Sequence, residues 1–426
     1  MLKELVLKQK SERDRLLSMS YVERDKKMEA RKWLHSDLIK VVLGPRRAGK
    51  SVFCLTLLQD QPFLYFNFDD EGLPGNEHLH HDELMKELHV AYGETKNIFF
   101  DEIQNVPKWE FFVNRLHREG YNIVLSGSNA NLLSRELATA LTGRHIPIEI
   151  LPFNFNEFLR AKKFVYSPDS LALPEEKAQL LSYLEQYLLN GGFPEVVVKD
   201  LDAKGYLGVL YDSLLFKDVV RRHRVRYAEE ISDLGSYVMS NAAHLYSIRR
   251  LARVLHFRSN TTLEKYLRYL IEAYLLFSLG RYSHKAGERL KSPRKMYAVD
   301  TGFTLAKAVQ HSPDTGKLLE NLVFIELVKH GYHPNHDIFY YRTKNNREVD
   351  FMLKKGVDTA ELIQVAYQTN DDVALAREIK ALREASEELK TEALMLITWD
   401  DEKQIKKDGK TVQCVPIWKW LLRERY

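Results

Sequence analysis

Eight consecutive residues carry the plainest chemistry in this 426-residue chain: Gly44-Pro45-Arg46-Arg47-Ala48-Gly49-Lys50-Ser51, with Val52 behind them. The spacing is G-x-x-x-x-G-K-[ST], between the apolar run LIKVVL and the apolar start VFC. That context, strand before and helix after, is what a phosphate-cradling loop requires. Glycines let successive backbone N–H groups turn inward, and the helix N-terminus adds partial positive charge. Lys50 is then expected to bridge the β- and γ-phosphates of ATP, and Ser51 to hold Mg2+.

About fifty residues on, NIFFDEIQ ends an apolar strand in Asp101-Glu102. An aspartate there orients the Mg2+ shell, and the next carboxylate polarises the attacking water. A glutamate directly after the aspartate points to hydrolysis. NIVLSGSN is another apolar strand with a polar end; Ser126, Ser128 or Asn129 would touch the γ-phosphate or the water. NANLLSRELATALTGR reads as a helix ending in Arg144, before the strand HIPIEI. Arg144 is either an arginine finger for a neighbouring subunit's nucleotide or a cation on the helix dipole.

A second constellation lies near the C-terminus. Glu320 sits on a helix, Asp350 on a strand after a polar hairpin, and Gln364 on the next strand, with Ala366 two residues further. Metal-dependent nucleases use acids and a lysine in this order. Gln364 removes an anionic ligand and Ala366 removes the ammonium, since a Gln carbonyl compensates less charge. Glu348 shares the face of Asp350, and a lysine such as Lys354 or Lys344 is a candidate substitute for the missing ammonium. The expectation is a nuclease-like fold whose cutting chemistry is lost.

These residues need a sizeable scaffold. The chain is 45% hydrophobic and 29% charged, with a net charge of +4, which excludes a disordered chain and says little about partners. No run reaches the ~18 apolar residues of a membrane span, and the N-terminus lacks the apolar core of a signal peptide. Two cysteines without metal spacing suit a reducing, cytoplasmic setting. LIKVVL, FLYFNF, NIFF, NIVL and HIPIEI alternate with amphipathic stretches, the pattern of a parallel, doubly wound α/β sheet. PEEKAQLLSYLEQYLLN reads as a helix stopped by Gly191-Gly192. FKDVVRRHRVR (216–226) is a basic run, either a solvated helix face or a nucleic-acid contact.

Taken in order, GPRRAGKS, FNFDD, FFDEIQNVPKWE, LSGSNANLLS…LTGR, LPFNFNEFL and GGFPEVV resemble a group of bacterial and archaeal AAA-type ATPases. The resemblance covers nearly the whole chain. It implies an AAA-type P-loop core over 34–152 after a helical segment over 1–33, and a small helical lid over 153–204 containing GGFP. It also implies nucleotide and Mg2+ on Lys50 and Ser51, Asp101 and Glu102 as the hydrolytic pair, and Arg144 as the finger. The same group resembles a winged helix-turn-helix over 205–300 and a restriction-endonuclease-like α/β domain over 301–426.

In the winged segment, Leu251, Val254 and Leu255 make one apolar face and Leu263, Leu267, Leu270 and Tyr274 another. LLFSLGRYS and RKMYAVD would pair as the wing. Arg258, Asn260, Thr261, Thr262 and Lys265 would face a DNA duplex, with Arg249, Arg250 and Arg253 on phosphates; a packing module is the other reading. The expected protein is a Mg2+-dependent ATP hydrolase whose nucleotide state controls a C-terminal half that binds nucleic acid or protein, with DNA and further copies of itself as candidate partners. An ATP-gated endonuclease and a non-hydrolysing nucleotide switch are the alternatives.

Overall fold

The computed structural model describes residues 2–73, 80–128, 141, 143–307, 314–356, 358–368 and 371–423. They fall into two compact units, residues 1–153 with 272–274, and residues 154–271 with 275–426. Among the described residues no helix is long and apolar enough to cross a membrane.

In the first unit, β1 (Ile39–Leu43), β2 (Leu64–Asn67), β3 (Asn97–Asp101), β4 (Asn122–Gly127) and β5 (His145–Glu149) form one sheet in the order β2-β3-β4-β1-β5. All neighbours are parallel. Strands buried on both faces need continuous apolar side chains, which is why IKVVL and IFF appear rather than an alternating pattern. Leu43 is in register with Gly127, and Phe100 with Leu125. The C-terminal ends of β1, β3 and β4 therefore share one edge of the sheet, where ligands of open α/β sheets bind.

Among the described residues this unit holds α1 (Leu2–Leu17), α2 (Lys26–Leu34), α3 (Lys50–Leu58), α4 (His81–Tyr92) and α5 (Trp109–Arg118). Phe53, Cys54, Leu55, Leu57 and Leu58 of α3 pack in a core with Val42, Phe99, Val124 and Ile148. The buried Gln9 of α1 pairs its side-chain amide with the edge strand β2. It donates to Asn67 O at 3.0 Å and accepts from Asn67 N at 2.9 Å. An amide supplying both partners covers an edge that would otherwise template aggregation.

The second unit opens with α6 (Phe155–Ala161), capped by Asn154 and Glu157 in a reciprocal box. Next come α7 (Pro174–Asn190), α8 (Pro194–Lys199), α9 (Ala203–Leu214) and α10 (Ala228–Ser240). α7 stops at Gly191, φ 74°, where a Cβ would fall 1.7 Å from Asp300 Oδ1. Gly192 N–H donates to Asp300 Oδ2 at 2.8 Å, so the glycine pair is anchored on this carboxylate. The basic run after α9 forms a wide-turn helix over Leu215–Arg221 that buries Asp218 and Val219 and leaves Lys217 and Arg221 exposed.

Beyond it, β6 (Leu245–Tyr246), α11 (Ile248–Val254), α12 (Asn260–Glu272), β7 (Leu276–Leu279), α13 (Ala286–Lys291) and β8 (Arg294–Ala298) follow. β7 and β8 pair antiparallel, as the wing reading expected, and β6 adds on the far side of β8. Leu263, Leu267 and Leu270 are buried. Val254, assigned to the apolar face of α11, is instead 44% exposed. α11 is only seven residues long, and Leu251 and Ala252 fill its inner positions.

After α14 (Thr301–Lys307) and α15 (Thr315–Lys329), the strands β9 (Ile338–Arg342), β10 (Glu348–Lys355), β11 (Asp358–Ala366), β12 (Leu394–Thr398), β13 (Lys403–Lys407) and β14 (Lys410–Pro416) build a second sheet. Its order is β13-β14-β12-β11-β10-β9. β9, β10 and β11 are antiparallel, and β11, β12 and β14 are parallel. The parallel step from β11 to β12 is bridged by α16 (Asp372–Leu389), and α17 (Ile417–Leu421) follows β14.

Candidate functional site

The loop after β1 is shaped by its backbone. Gly44 has φ +148°, and a Cβ there would lie 1.9 Å from Ile150 O. Gly49 has φ +91° and Arg47 φ 66°, both left-handed. A β-carbon is excluded at Gly44 and costly at Gly49, so the motif's two glycines are steric requirements. Arg24 supports the loop from behind, donating to Ala48 O at 2.9 Å and to Leu151 O. Lys50 is buried, and its ammonium donates to Pro45 O at 3.0 Å, spanning the loop. The first N–H groups of α3 have no acceptor within the helix and remain for a phosphate.

Asp101 and Glu102 stand at the end of β3 in different environments. Asp101 is buried, accepts from the Ser126 hydroxyl and lies beside the Ser51 hydroxyl. Burial, then the charge of Glu102, pushes its carboxyl up to about 6, against the two hydroxyls and Lys50. Glu102 has φ 52°, a left-handed non-glycine backbone of the kind found at functional sites. Burial would raise its carboxyl, but Lys50, 3.9 Å away, and Arg46 outweigh this and hold it below its ordinary value. The pair is thus split: Lys50 holds Glu102 ionised, while Asp101 feels Lys50 more weakly and forms no ion pair among the described residues. Ser51 and Asp101 offer hard oxygen donors around that uncompensated charge, so these residues fit Mg2+.

Of the three polar residues after β4, Ser126 is committed to Asp101 and also accepts from Glu102 N–H at 3.1 Å. It positions the acid pair. Ser128 is buried beside Glu102, and its hydroxyl adds to the groups that hold that carboxyl down. Asn129 and most of the helix expected over 129–144 lie outside the described residues. Arg144 is exposed at the start of β5; its carbonyl accepts from Ile39 N–H at 2.9 Å. β1 and β5 are parallel, so Arg144 lies at the opposite end of the strands from Gly44, about 20 Å by strand rise. It does not reach the loop of its own chain.

One link escaped the motif reading. Arg46 pairs with Asp69 at 3.1 Å, and Asn105 Nδ2 donates to the other oxygen of Asp69 at 3.1 Å. Asp69 thereby ties the phosphate loop to the segment after Glu102. The only sequence signal was the acidic end of FNFDD, directly after a strand.

In the second unit, Glu320, Glu348 and Asp350 do converge, but on a lysine absent from the sequence reading. Lys295 of β8, 1% exposed, lies 2.7 Å from Glu320 Oε1, 2.8 Å from Glu348 Oε1 and 2.9 Å from Asp350 Oδ1. Lys317 donates to Glu320 Oε2 at 2.6 Å and Tyr297 to Glu320 Oε1 at 2.8 Å. Gln364 Oε1 accepts from Asp350 N–H at 3.1 Å, and its Nε2 donates to Glu378 at 2.6 Å. The two substitutes named from sequence do other things: the Lys354 ammonium lies over the Tyr282 ring, and Lys344 N–H donates to Glu388.

Comparison with known proteins agrees with the first unit's geometry. Residues 36–159 match the AAA domain family AAA_14. Residues 181–313 and 315–420 match two domains of unknown function, DUF8612 and DUF4143. The Walker-type ATPase PABY2304 of Pyrococcus abyssi overlays at a TM-score of 0.46 and 16% identity, over 68% of this chain and 99% of that one. The Holliday junction branch migration motor RuvB of Thermotoga maritima overlays at 0.31 and 13% identity, over 65% of this chain and 99% of that one. The uncharacterized protein MJ1544 of Methanocaldococcus jannaschii is 39% identical over 402 residues, 90% of this chain and 88% of that protein. An uncharacterized protein of Haemophilus influenzae is 31% identical over 404 residues, 91% of this chain and 95% of that protein. With its phosphate loop folded inside a matched AAA domain, the chain has an AAA-type P-loop ATPase core and belongs to the family of the M. jannaschii and H. influenzae proteins.

Proposed function

We propose that the protein is a Mg2+-dependent ATP hydrolase whose nucleotide state controls how its C-terminal half engages nucleic acid. The observation that carries the hydrolase reading is the split acid pair beside the loop: an ionised Glu102 near Lys50, and a buried Asp101 between Ser51 and Ser126. Glu102 polarises the attacking water, and Asp101 with Ser51 orients the cation. Lys50 and the loop N–H groups take the phosphates. Arg144 acts on a neighbouring subunit's nucleotide, consistent with its exposure away from its own loop.

The nucleic-acid part is supported by one basic face. Arg249, Arg250, Arg253, Arg258, Lys265 and Arg268 are exposed on and between α11 and α12, two helices followed by the antiparallel pair β7 and β8, which supports the helix-turn-helix reading. Arg249, Arg268, Lys291 and Arg294 line a cleft of about 910 Å3. Cations along a groove suit a phosphate backbone.

Lys50→Ala should abolish tight ATP binding. Glu102→Gln should bind ATP as wild type does and lose turnover by about a hundredfold or more, the scale of a general base. Steady-state phosphate release and nucleotide titration measure both. Equal hydrolysis by wild type and Glu102→Gln would overturn the assignment; tight binding without turnover in wild type would leave the nucleotide switch instead.

A further inference from the structure

The acids of the C-terminal unit have the composition of a metal site, and their resemblance to a nuclease core implies a divalent cation among them. Their hydrogen bonding does not fit one. An ammonium has three donors. Lys295 donates to Glu320 Oε1 at 2.7 Å and to Asp350 Oδ1 at 2.9 Å, and its ammonium also forms an ion pair with Glu348 Oε1 at 2.8 Å. The remaining oxygens of the two most buried acids also have partners. Glu320 Oε2 accepts from Lys317, and Asp350 Oδ2 accepts from Val365 N–H at 3.1 Å. The neutral oxygen of Gln364 is turned onto the backbone of Asp350. Among the described residues no group of three acidic, histidine or cysteine side chains is arranged to hold a metal ion.

Charge points the same way. Glu320, Glu348 and Asp350 are met by Lys295 and Lys317, so one negative charge remains rather than three. Burial alone would strip the proton from Lys295, but the carboxylates of Asp350 and Glu320 outweigh it and keep the ammonium charged. A cation entering here would have to displace a buried ammonium and leave it unpaired, which is strongly unfavourable.

We infer that Lys295 is the resident cation of this cluster: its ammonium takes the place of a divalent metal, so the C-terminal unit holds its acids together without metal and does not cut nucleic acid. The same side chain has a second consequence. Lys295 lies on β8, in register with Leu245 of β6 and Leu279 of β7. It therefore joins the three-stranded sheet beside α11 and α12 to the six-stranded sheet carrying Asp350, alongside the backbone bonds of Gly280 and Tyr282 to Tyr340.

The inference deepens the proposed reading of the C-terminal half, and its test omits nucleotide so that failure of the hydrolase reading cannot imitate it. The probe is Mn2+ alone, followed by electron paramagnetic resonance on the full chain. Wild type and Asp350→Asn should bind Mn2+ equally, because the cluster contributes no site. Lys295→Met should gain a site at least about tenfold tighter than any in wild type, and Asp350→Asn in that background should remove it. Mn2+ binding by wild type that disappears in Asp350→Asn would overturn the inference. So would a folded Lys295→Met that gains no site. Should Lys295→Met fail to fold, the wild-type and Asp350→Asn comparison still decides. Plasmid incubated with wild type and Mn2+ should stay uncut; cleavage lost in Asp350→Asn would also overturn it.

Discussion

Asp101 illustrates how much one side chain's surroundings decide. It shares a strand end with Glu102, yet its carboxyl is pushed up to about 6, first by burial and then by its neighbour's charge, while that of Glu102 is held down by Lys50. For an acid, a raised value means that the proton is held as pH falls into the mildly acidic range. Below about 6 Asp101 is neutral and, in the proposed role, would not orient a cation; above it the charge is available. kcat/KM for ATP hydrolysis, which reports the free enzyme, should therefore fall about tenfold per pH unit below that point. Asp101→Asn should be slow at every pH and lack this limb. An identical acid limb in Asp101→Asn would assign the titration to another group. A chelator control with excess Mg2+ separates loss of the cation from unfolding.

At the scale of elements, α11 and α12 are built so that their cations can change without touching the core. α11 is started by Ser247, whose hydroxyl accepts from Arg250 N–H at 3.3 Å, and is held inward by Leu251 and Ala252. Arg249, Arg250 and Arg253 are exposed. Reversing all three to Glu should leave the thermal midpoint nearly unchanged and weaken duplex DNA binding. It should also flatten the salt dependence by about two to three units of log-log slope, since each phosphate contact releases about one counterion. Fluorescence anisotropy across a salt series measures this. Absence of wild-type binding at about 50 mM salt, where such contacts are strongest, would make α11 and α12 a packing module.

At the scale of the molecule, the role proposed for Arg144 predicts that hydrolysis needs more than one copy. It sits at the N-terminal end of β5, and the phosphate loop follows the C-terminal end of β1, so one chain cannot bring the two together without breaking the parallel pairing. Arg144→Ala should bind ATP normally and lose most turnover. Mixed with Lys50→Ala it should regain part, because one interface then has an intact loop facing an intact arginine. No recovery, with a species that stays monomeric in ATP at working concentration, would reduce Arg144 to an exposed cation at a strand's start.

The phosphate loop was legible in the linear sequence because its function uses consecutive backbone N–H groups, which only a short run of fixed residue types can present. The parallel sheet was legible for a similar local reason: strands buried on both faces must be apolar throughout, and IKVVL and NIFFD are. The Gly191-Gly192 stop was legible as a local signal, but the carboxylate that demands it, Asp300, lies 108 residues away from Gly192. Val254 was misassigned because helical spacing names a face without saying how wide a seven-residue helix buries it. The C-terminal acids were found from their order on helix and strand, yet the ammonium they hold was not. Lys295 stands in a strand read as a wing, 25 residues before Glu320 and 55 before Asp350. A motif carries chemistry that neighbours in the chain perform together; which distant cation neutralises a buried acid is settled by packing, because only burial removes the water that would otherwise screen it.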